Sequence, residues 1–122
     1  MKIKRDKLDI LFSQYIRARD KNCQRCGGGS GLQTSHFHGR RKRSTRWHPN
    51  NACLLCFGCH MHFHANPLEH TEYFKNRLGQ EAFEKLRWQA ETIVKIDRKL
   101  IKLDLKQELE KIRRLENGHI VQ

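Results

Sequence analysis

Residues 50–64 read NNACLLCFGCHMHFH, and they concentrate more metal-binding side chains than a single metal ion can use. Cysteines stand at positions 53, 56 and 59, and three histidines then alternate with Met61 and Phe63. A second pair of cysteines, Cys23 and Cys26, lies upstream in the segment CQRC. The stretch therefore predicts a metal site that organises the fold, and it leaves several histidines for a second task.

The four cysteines of the two CxxC pairs predict a structural zinc site. Each pair can place two thiolates on one metal ion, and two pairs complete a tetrahedral shell. We assign these ligands as Cys23, Cys26, Cys56 and Cys59. Cys53 lies in the apolar run ACLL and is interpreted as a small core residue. In the alternative, zinc takes Cys53 and Cys56 and leaves Cys59 free.

Composition indicates a small core and a polyanionic partner. The 122 residues include 25 Lys and Arg against 13 Asp and Glu, a formal net charge of +12. Such an excess favours binding to nucleic acid, and the alternative is a basic surface without a partner. With 37% hydrophobic residues and a mean hydropathy of -0.84, the core is expected to need a metal to stabilise it.

No signal for a membrane or for secretion is present in the sequence. No apolar run is long enough to span a membrane, and MKIKRDKLDILF lacks the apolar core and cleavage site of a signal peptide. The five cysteines are therefore interpreted as reduced thiols of an intracellular protein. We expect a cytoplasmic location.

Hydrophobic periodicity predicts an α+β fold. A helix is expected over about residues 6–20, two short strands with an irregular loop within 22–51, and a short helix from Cys56 to about Ala65. After Pro67 the chain is expected to be helical, with a break at Gly79. The helix that follows is predicted to continue to Asn117, about 50 Å at 1.5 Å per residue.

The predicted organisation has three segments: an N-terminal helix (1–20), a zinc-bound core (21–79) and a C-terminal helical extension (80–122). A helix as long as the predicted one exceeds the width of so small a core. It is expected to kink, to pack back on the N-terminal helix, or to form the seam of a homodimer.

A second set of residues remains once the zinc ligands are removed: His36, Asn51 and His60. Together with the first CxxC pair, a histidine on a strand and the spacing Asn-x-x-x-x-Cys-x-x-Cys-His resemble the zinc-containing HNH (ββα-metal) endonucleases over residues 23–66. The segments RRKRSTRW and ANPLEHTEYFKNRLGQEAFEKL are most similar to phage-encoded members, among them NinG/Rap-like recombination nucleases. The resemblance implies a ββα-metal core stapled by zinc and flanked by helices.

The same resemblance implies roles for these residues in metal-dependent DNA cleavage to 5′-phosphate and 3′-hydroxyl ends. His36 would be the general base, and His60 would bind one Mg²⁺ or Mn²⁺ ion, or Ni²⁺ in vitro. Asn51 would fix the loop and orient the His36 ring. Many HNH domains have an aspartate where this chain has Ser35, so a substitute ligand is needed, with His38 and His64 as candidates. The alternative is an inactive zinc module that binds DNA or a partner protein.

A run of cations between the predicted base and Asn51 is the candidate DNA-binding surface. Contacts of this kind give salt-sensitive affinity with weak sequence preference. Trp47 would stack on a base or anchor the loop in the core, and His48 and His70 are expected at the surface. The implied setting is a bacterial host cytoplasm, with phage recombination or packaging proteins as further partners. The run comprises Arg40, Arg41, Lys42, Arg43 and Arg46.

Overall fold

The structure, a computed structural model, describes residues 5–118 and is a small α+β protein. This part of the chain forms six helices and a two-stranded antiparallel sheet, as expected for the class. A 3₁₀ turn, Pro49–Asn51, leads into the second strand. In chain order the elements are α1 (Lys7–Asp20), β1 (Leu32–His36), α2 (Arg43–Arg46), β2 (Ala52–Cys56), α3 (Phe57–Ala65), α4 (Pro67–Leu78), α5 (Gln80–Glu91) and α6 (Arg98–Gly118).

The two-stranded sheet separates two small hydrophobic cores. In its register His36 lies opposite Ala52, and Ser35 lies opposite Cys53. Neighbouring side chains on a strand point to opposite faces, while residues directly opposite each other share a face. His36 and Ala52 therefore face α1, whereas Ser35 and Cys53 face α3.

The packing of buried side chains agrees with this alternation. We call the two clusters the α1-side core and the α3-side core. The α1-side core consists of Leu8, Phe12, Tyr15, Ile16, Trp47, Ala52, Leu54 and Leu105. The α3-side core consists of Cys23, Cys53, Leu55, Cys59, Phe63, Phe74 and Phe83. Because the α1-side core draws on α1, the sheet and α6, all three predicted segments pack together, and the domain boundaries themselves stay a prediction.

Two aspartates fix where helix α1 begins and where its end lies. Asp6 is the N-cap, and its carboxylate accepts a hydrogen bond from the Leu8 N–H at 2.9 Å. At the other end, the Asp20 carboxylate accepts from the Leu54 N–H at 2.9 Å. This second contact fixes the end of α1 to the middle of β2, so α1 lies against the face of the sheet that carries His36.

The prediction of one helix from Gln80 to Asn117 is wrong. Helix α5 ends at Glu91 and α6 begins at Arg98. The intervening segment starts with the β-branched residues 92–94, whose stiff side chains disfavour a helix, and the Asp97 carboxylate then accepts from the Leu100 N–H at 3.1 Å. The break lets α6 return along α1 and bury Leu105. Within residues 5–118, no helix is long and apolar enough to cross a membrane. A homodimer through α6 stays a prediction.

Candidate metal centre and histidine site

Four cysteines come together in a cluster that can hold a structural metal ion such as zinc. The Sγ atoms of Cys23, Cys26, Cys56 and Cys59 all lie within 4.8 Å of one another. Cys26 Sγ and Cys56 Sγ are 3.7 Å apart. A tetrahedral zinc site with Zn–S bonds of about 2.3 Å has an S···S edge of about 3.8 Å, so the spacing fits that ion. All the cysteines are free thiols rather than disulfides.

The local backbone explains why each CxxC pair presents its sulfurs together. Cys26 N–H approaches Cys23 Sγ at 3.5 Å, and Cys59 N–H approaches Cys56 Sγ at 3.4 Å, where Cys56 is the N-cap of α3. Burial alone would raise the pKa of Cys23, but hydrogen bonds from backbone N–H groups outweigh burial and lower that pKa to about 6. The Arg25 guanidinium also donates to Cys59 Sγ at 3.4 Å. These donors favour the thiolate form that a metal requires. At Cys59, however, burial and the neighbouring sulfurs outweigh Arg25 and raise the pKa to about 12, so a bound metal ion would have to displace that proton.

Cys53 is a core residue, as the sequence predicted. Its side chain is fully buried in the α3-side core and is not part of the four-cysteine cluster. Burial raises the pKa of the Cys53 thiol to about 12. The alternative in which zinc uses Cys53 and leaves Cys59 free is therefore not supported by the geometry.

His36, the predicted general base, ends β1 and packs its ring against Phe12 of α1. Its Nε2 atom lies 2.9 Å from the carbonyl oxygen of Arg46. Burial lowers the pKa of His36, and the positive charge of Arg40 lowers it further, against the opposing effect of the Arg46 carbonyl. The His36 imidazole is therefore neutral at neutral pH. The ring lines a cavity of about 490 Å³ beside α1, which we call the His36 cavity.

Asn51 fixes the loop after β1, but it does not orient the His36 ring as predicted. The buried Asn51 amide accepts from the His38 N–H at 2.8 Å and donates to the His38 carbonyl at 3.0 Å. Both of these hydrogen bonds go to the backbone of His38, and none joins the amide to the imidazole of His36. The Arg46 carbonyl orients His36 instead, because the ring faces α1 and the loop brings that carbonyl across it.

His60 and His64 lie one turn apart on α3 with their rings stacked, centroids 5.8 Å apart. The Gln33 side-chain oxygen is 2.6 Å from His60 Nδ1. Since an amide oxygen only accepts, Nδ1 carries the proton and Nε2 keeps its lone pair for a metal. His62 points elsewhere, with Nε2 2.8 Å from a carboxylate oxygen of Glu69.

The rings of His36 and His60 lie on opposite faces of the sheet. His60 contacts Gln33, which is three residues before His36 on the same strand and therefore points the other way. Ser35 shares the face of Gln33, is buried, and has no hydrogen-bond partner for its hydroxyl among the described residues. Across residues 5–118, the four cysteines are the one group of three or more His, Cys, Asp or Glu side chains close enough to share an ion.

His38 and His70 are both half-buried aromatic neighbours of Phe37. The His38 ring packs edge-on at 4.7 Å from the Phe37 centroid, and burial lowers its pKa. His70 was expected at the surface, but its ring stacks on Phe63 with the centroids 4.9 Å apart. It is half-buried against the α3-side core. The Nε2 atoms of both rings have no partner among residues 5–118. Neither ring belongs to a group that can share a metal ion in this part of the chain.

Asp9 is the residue that the sequence analysis missed. Its carboxylate on α1 accepts hydrogen bonds from Arg40, from Arg46 Nε at 3.0 Å and from Trp47 Nε1 at 2.8 Å. Trp47 is thereby anchored in the core, which was one of its two predicted roles. Burial alone would raise the pKa of Asp9, but these donors outweigh it and lower that pKa to about 2. The sequence signal for such a carboxylate partner was the run of five cations itself, because it contains no acidic residue.

The predicted DNA-binding run contains some cations that form ion pairs and others that do not. Arg40 and Arg46 are held by Asp9, and Lys42 Nζ lies 2.8 Å from a carboxylate oxygen of Glu91. Arg41 and Arg43 are exposed and form no ion pair within the described part of the chain. A role for the run in DNA binding stays a prediction, and these last two arginines are its available members.

Comparisons with known proteins add no assignment. No family model, curated protein or solved structure matches this chain significantly.

Proposed function

We propose that this protein is a metal-dependent endonuclease of the zinc-containing HNH type. It would hydrolyse DNA phosphodiester bonds to 5′-phosphate and 3′-hydroxyl ends in phage recombination or packaging within a bacterial host. The four-cysteine cluster supports the structural part of this proposal, and the environment of His36 supports the chemical part. The strand–loop–strand–helix order from β1 to α3 is the order of a ββα-metal core.

The hydrogen bond between His36 and Arg46 is the observation that carries the proposal. A carbonyl oxygen only accepts, so His36 Nε2 carries the proton and Nδ1 keeps a lone pair. Burial keeps the ring neutral at working pH, which is the form that a general base requires. The ring is also held in place by Phe12, so its lone pair has a fixed direction. A histidine prepared in this way can take a proton from water attacking a phosphate.

The His36 cavity is lined by more positively than negatively charged side chains, which suits a phosphodiester. Three arginines line it, against the two aspartates Asp6 and Asp9. Both aspartates are already engaged by arginines, Asp6 by Arg98 at 2.6 Å. The arginines of the cavity are Arg5, Arg40 and Arg46. Asp9 already holds Arg40 and Arg46, so a phosphate would have to compete with it for them. Arg5 forms no ion pair within residues 5–118, and its guanidinium is available to phosphate oxygens that enter beside the neutral imidazole.

His60 and His64 would supply the protein ligands of the catalytic ion. Two imidazoles one helical turn apart, with a protonated Nδ1 fixed by Gln33, fit a divalent ion that keeps water or phosphate oxygens as its other ligands. Such an ion would neutralise phosphate oxygens and stabilise the leaving 3′ oxygen, which requires the scissile phosphate to reach both His36 and His60 across the end of the sheet. The buried hydroxyl of Ser35 lies on the same face of the sheet. Many HNH domains have an aspartate at this position, and a hydroxyl is a weak, neutral metal ligand in comparison. The resulting site favours Mn²⁺ or Ni²⁺ over Mg²⁺.

A cleavage assay tests the proposal directly. Supercoiled plasmid is incubated with the zinc-loaded protein and Mg²⁺, Mn²⁺ or Ni²⁺, and nicked and linear products are measured. We expect His36→Ala to reduce the nicking rate by about 100-fold or more, the usual contribution of a general base. His62→Ala is the matched control, because it removes an imidazole that faces Glu69 on the other side of α3. Equal nicking by wild type and His36→Ala, or none by either, would refute the enzyme assignment.

A zinc-stabilised DNA-binding or partner-binding module without catalysis is the second candidate. It is favoured by one observation, the placement of His36 and His60 on opposite faces of the sheet. If the plasmid stays intact with every ion while the wild-type protein still binds duplex DNA, this second function replaces the first. Duplex, nicked and four-way substrates in the same assay would identify the preferred DNA structure.

A further inference from the structure

Four lysines line a groove between α1 and α6. Its volume is about 390 Å³, and we call it the lysine groove. Leu8, Ile10 and Leu11 form its apolar floor on α1. The cations that line it are Lys7, Arg98, Lys99, Lys102 and Lys106. Among residues 5–118 no carboxylate lines the groove, although the chain carries 13 acidic residues in all.

Most of the positive charge in this groove is not neutralised by the protein. Arg98 is paired with Asp6 at 2.6 Å, but the four lysines form no ion pair within residues 5–118. Some other cations are paired, as Lys42 is with Glu91, and others, such as Arg41, form no ion pair within residues 5–118. The groove differs from the rest of this surface because four such lysines line it together. Like charges that converge on one groove repel each other and create a local positive potential. A polyanion would relieve that repulsion and release its own counterions on binding.

The spacing of the lysines matches a nucleic-acid strand. Lys99, Lys102 and Lys106 follow the i, i+3, i+7 pattern, so they lie on one face of α6. They span about 10 Å along the helix at 1.5 Å per residue. One strand of duplex DNA presents a phosphate every 3.4 Å along its axis, so this span corresponds to about three phosphates.

The lysine groove adjoins the His36 cavity. Ile10 lines both, and Arg98 at the edge of the groove is bound to Asp6 of the cavity. A DNA strand with its scissile phosphate at His36 would therefore continue over α1 toward α6. The run of cations in the loop is a separate surface, because Arg40 and Arg46 line the His36 cavity and no member of the run lines the lysine groove.

We infer that the lysine groove binds the phosphate backbone of duplex DNA flanking the cleavage point. This inference rests on the proposed function, because it assigns the path of that substrate beyond His36. It adds a DNA-binding surface on the C-terminal helix, far in sequence from the predicted basic run. An acidic amphipathic polypeptide is the other class of ligand that an apolar floor with a cationic rim can accept, and it is an outcome of the test below.

The test measures equilibrium binding, so it does not depend on cleavage. The zinc-loaded protein carries His36→Ala throughout, and a fluorescent 30-base-pair duplex reports binding by anisotropy between about 50 and 200 mM salt. The groove variant is K99Q/K102Q/K106Q. The control variant K85Q/K111Q/R113Q removes three positive charges from positions that line neither the groove nor the His36 cavity. Zinc content and thermal unfolding confirm that both variants are folded.

The groove variant should lose about 2.7 from the slope of log K against log salt, which is about 0.9 for each lost phosphate contact. Its affinity should fall at least about tenfold below that of the control variant at the lower salt concentration. Equal losses in the two variants would overturn the inference, because net charge alone would then explain them.

A third arm uses a synthetic helical peptide with glutamates on one face and leucines on the other. If the groove variant loses this peptide but keeps duplex binding, the groove serves a polypeptide and the DNA inference fails. Failure of the proposed function has a different signature. In that case wild type does not nick plasmid, whatever the binding measurements with His36→Ala show.

Discussion

Replacing Asp9 by asparagine should destabilise the protein by about 2 kcal/mol at pH 7. Asp9 has an 18% exposed side chain and a pKa lowered from 3.8 to about 2, so its ionised form is favoured by the fold. Each pKa unit corresponds to about 1.4 kcal/mol, and the shift therefore amounts to about 2 kcal/mol. Asparagine has nearly the same shape but lacks the charge, so it reports the loss of that contribution.

The dependence on pH follows from the direction of the shift. Because the folded pKa is the lower one, the stabilisation by ionised Asp9 is fully present above the unfolded value of 3.8. It is lost as the pH falls toward about 2. Acid would also protonate the metal-binding thiolates and release the ion, so a simple acid titration of the wild type would mix two effects. The substitution at pH 7 isolates the carboxylate.

Urea unfolding of the zinc-loaded protein is the appropriate assay for this substitution. Asp104→Asn is the matched control, because Asp104 is exposed on α6 and forms no ion pair within the described residues. Arg46→Gln, alone and combined with Asp9→Asn, completes a double-mutant cycle for the pair at the centre of the network. We expect a coupling free energy of about 1 kcal/mol or more. A difference between Asp9→Asn and Asp104→Asn below about 0.5 kcal/mol would refute the reasoning.

Three further predictions concern the metal, the core and the basic loop. Cys53→Ala should keep one zinc per chain by atomic absorption, whereas alanine at any of the four clustered cysteines should lose it; loss in Cys53→Ala would reverse the ligand assignment. Leu105→Ala should cost about 2–4 kcal/mol in urea unfolding, against less than about 1 kcal/mol for the half-exposed Leu103→Ala, and similar costs would contradict the packing of α6 on α1. R41Q/R43Q should lower the salt slope of duplex binding by about 1.8, and an unchanged slope would exclude this loop from the DNA interface.

The metal centre was predictable because its signal is local. A CxxC segment already brings two sulfurs together through the turn that its own backbone forms, as Cys56 shows by capping α3 and accepting from the Cys59 N–H. Only the meeting of the two pairs requires the tertiary fold. Cys53 could be distinguished from these ligands for a similar reason. It lies in an apolar run, which is a local pattern that indicates burial, and its side chain is buried.

The environment of His36 could not be read from the sequence. Its orienting group is a backbone carbonyl, at Arg46, and every residue has one, so no residue type marks it. Asn51 was predicted to orient the His36 ring because its side chain carries an amide, but that amide binds the backbone of His38. The separation of His36 from His60 depends on which face of a strand each side chain takes. A shift of one residue in the strand would reverse that outcome.

The sequence by itself determined the α+β class, the four cysteines that can hold a metal ion, the burial of Cys53 and the net positive charge. These properties depend on residue type and short spacing, which the chain carries before it folds. Only the tertiary structure decided that α6 returns along α1, that Asp9 holds two arginines of the basic run, and that four lysines without an ion pair in the described part of the chain share one groove. Each of these outcomes joins residues far apart in the chain. Their free energy comes from contacts that exist only after the helices have packed against the sheet.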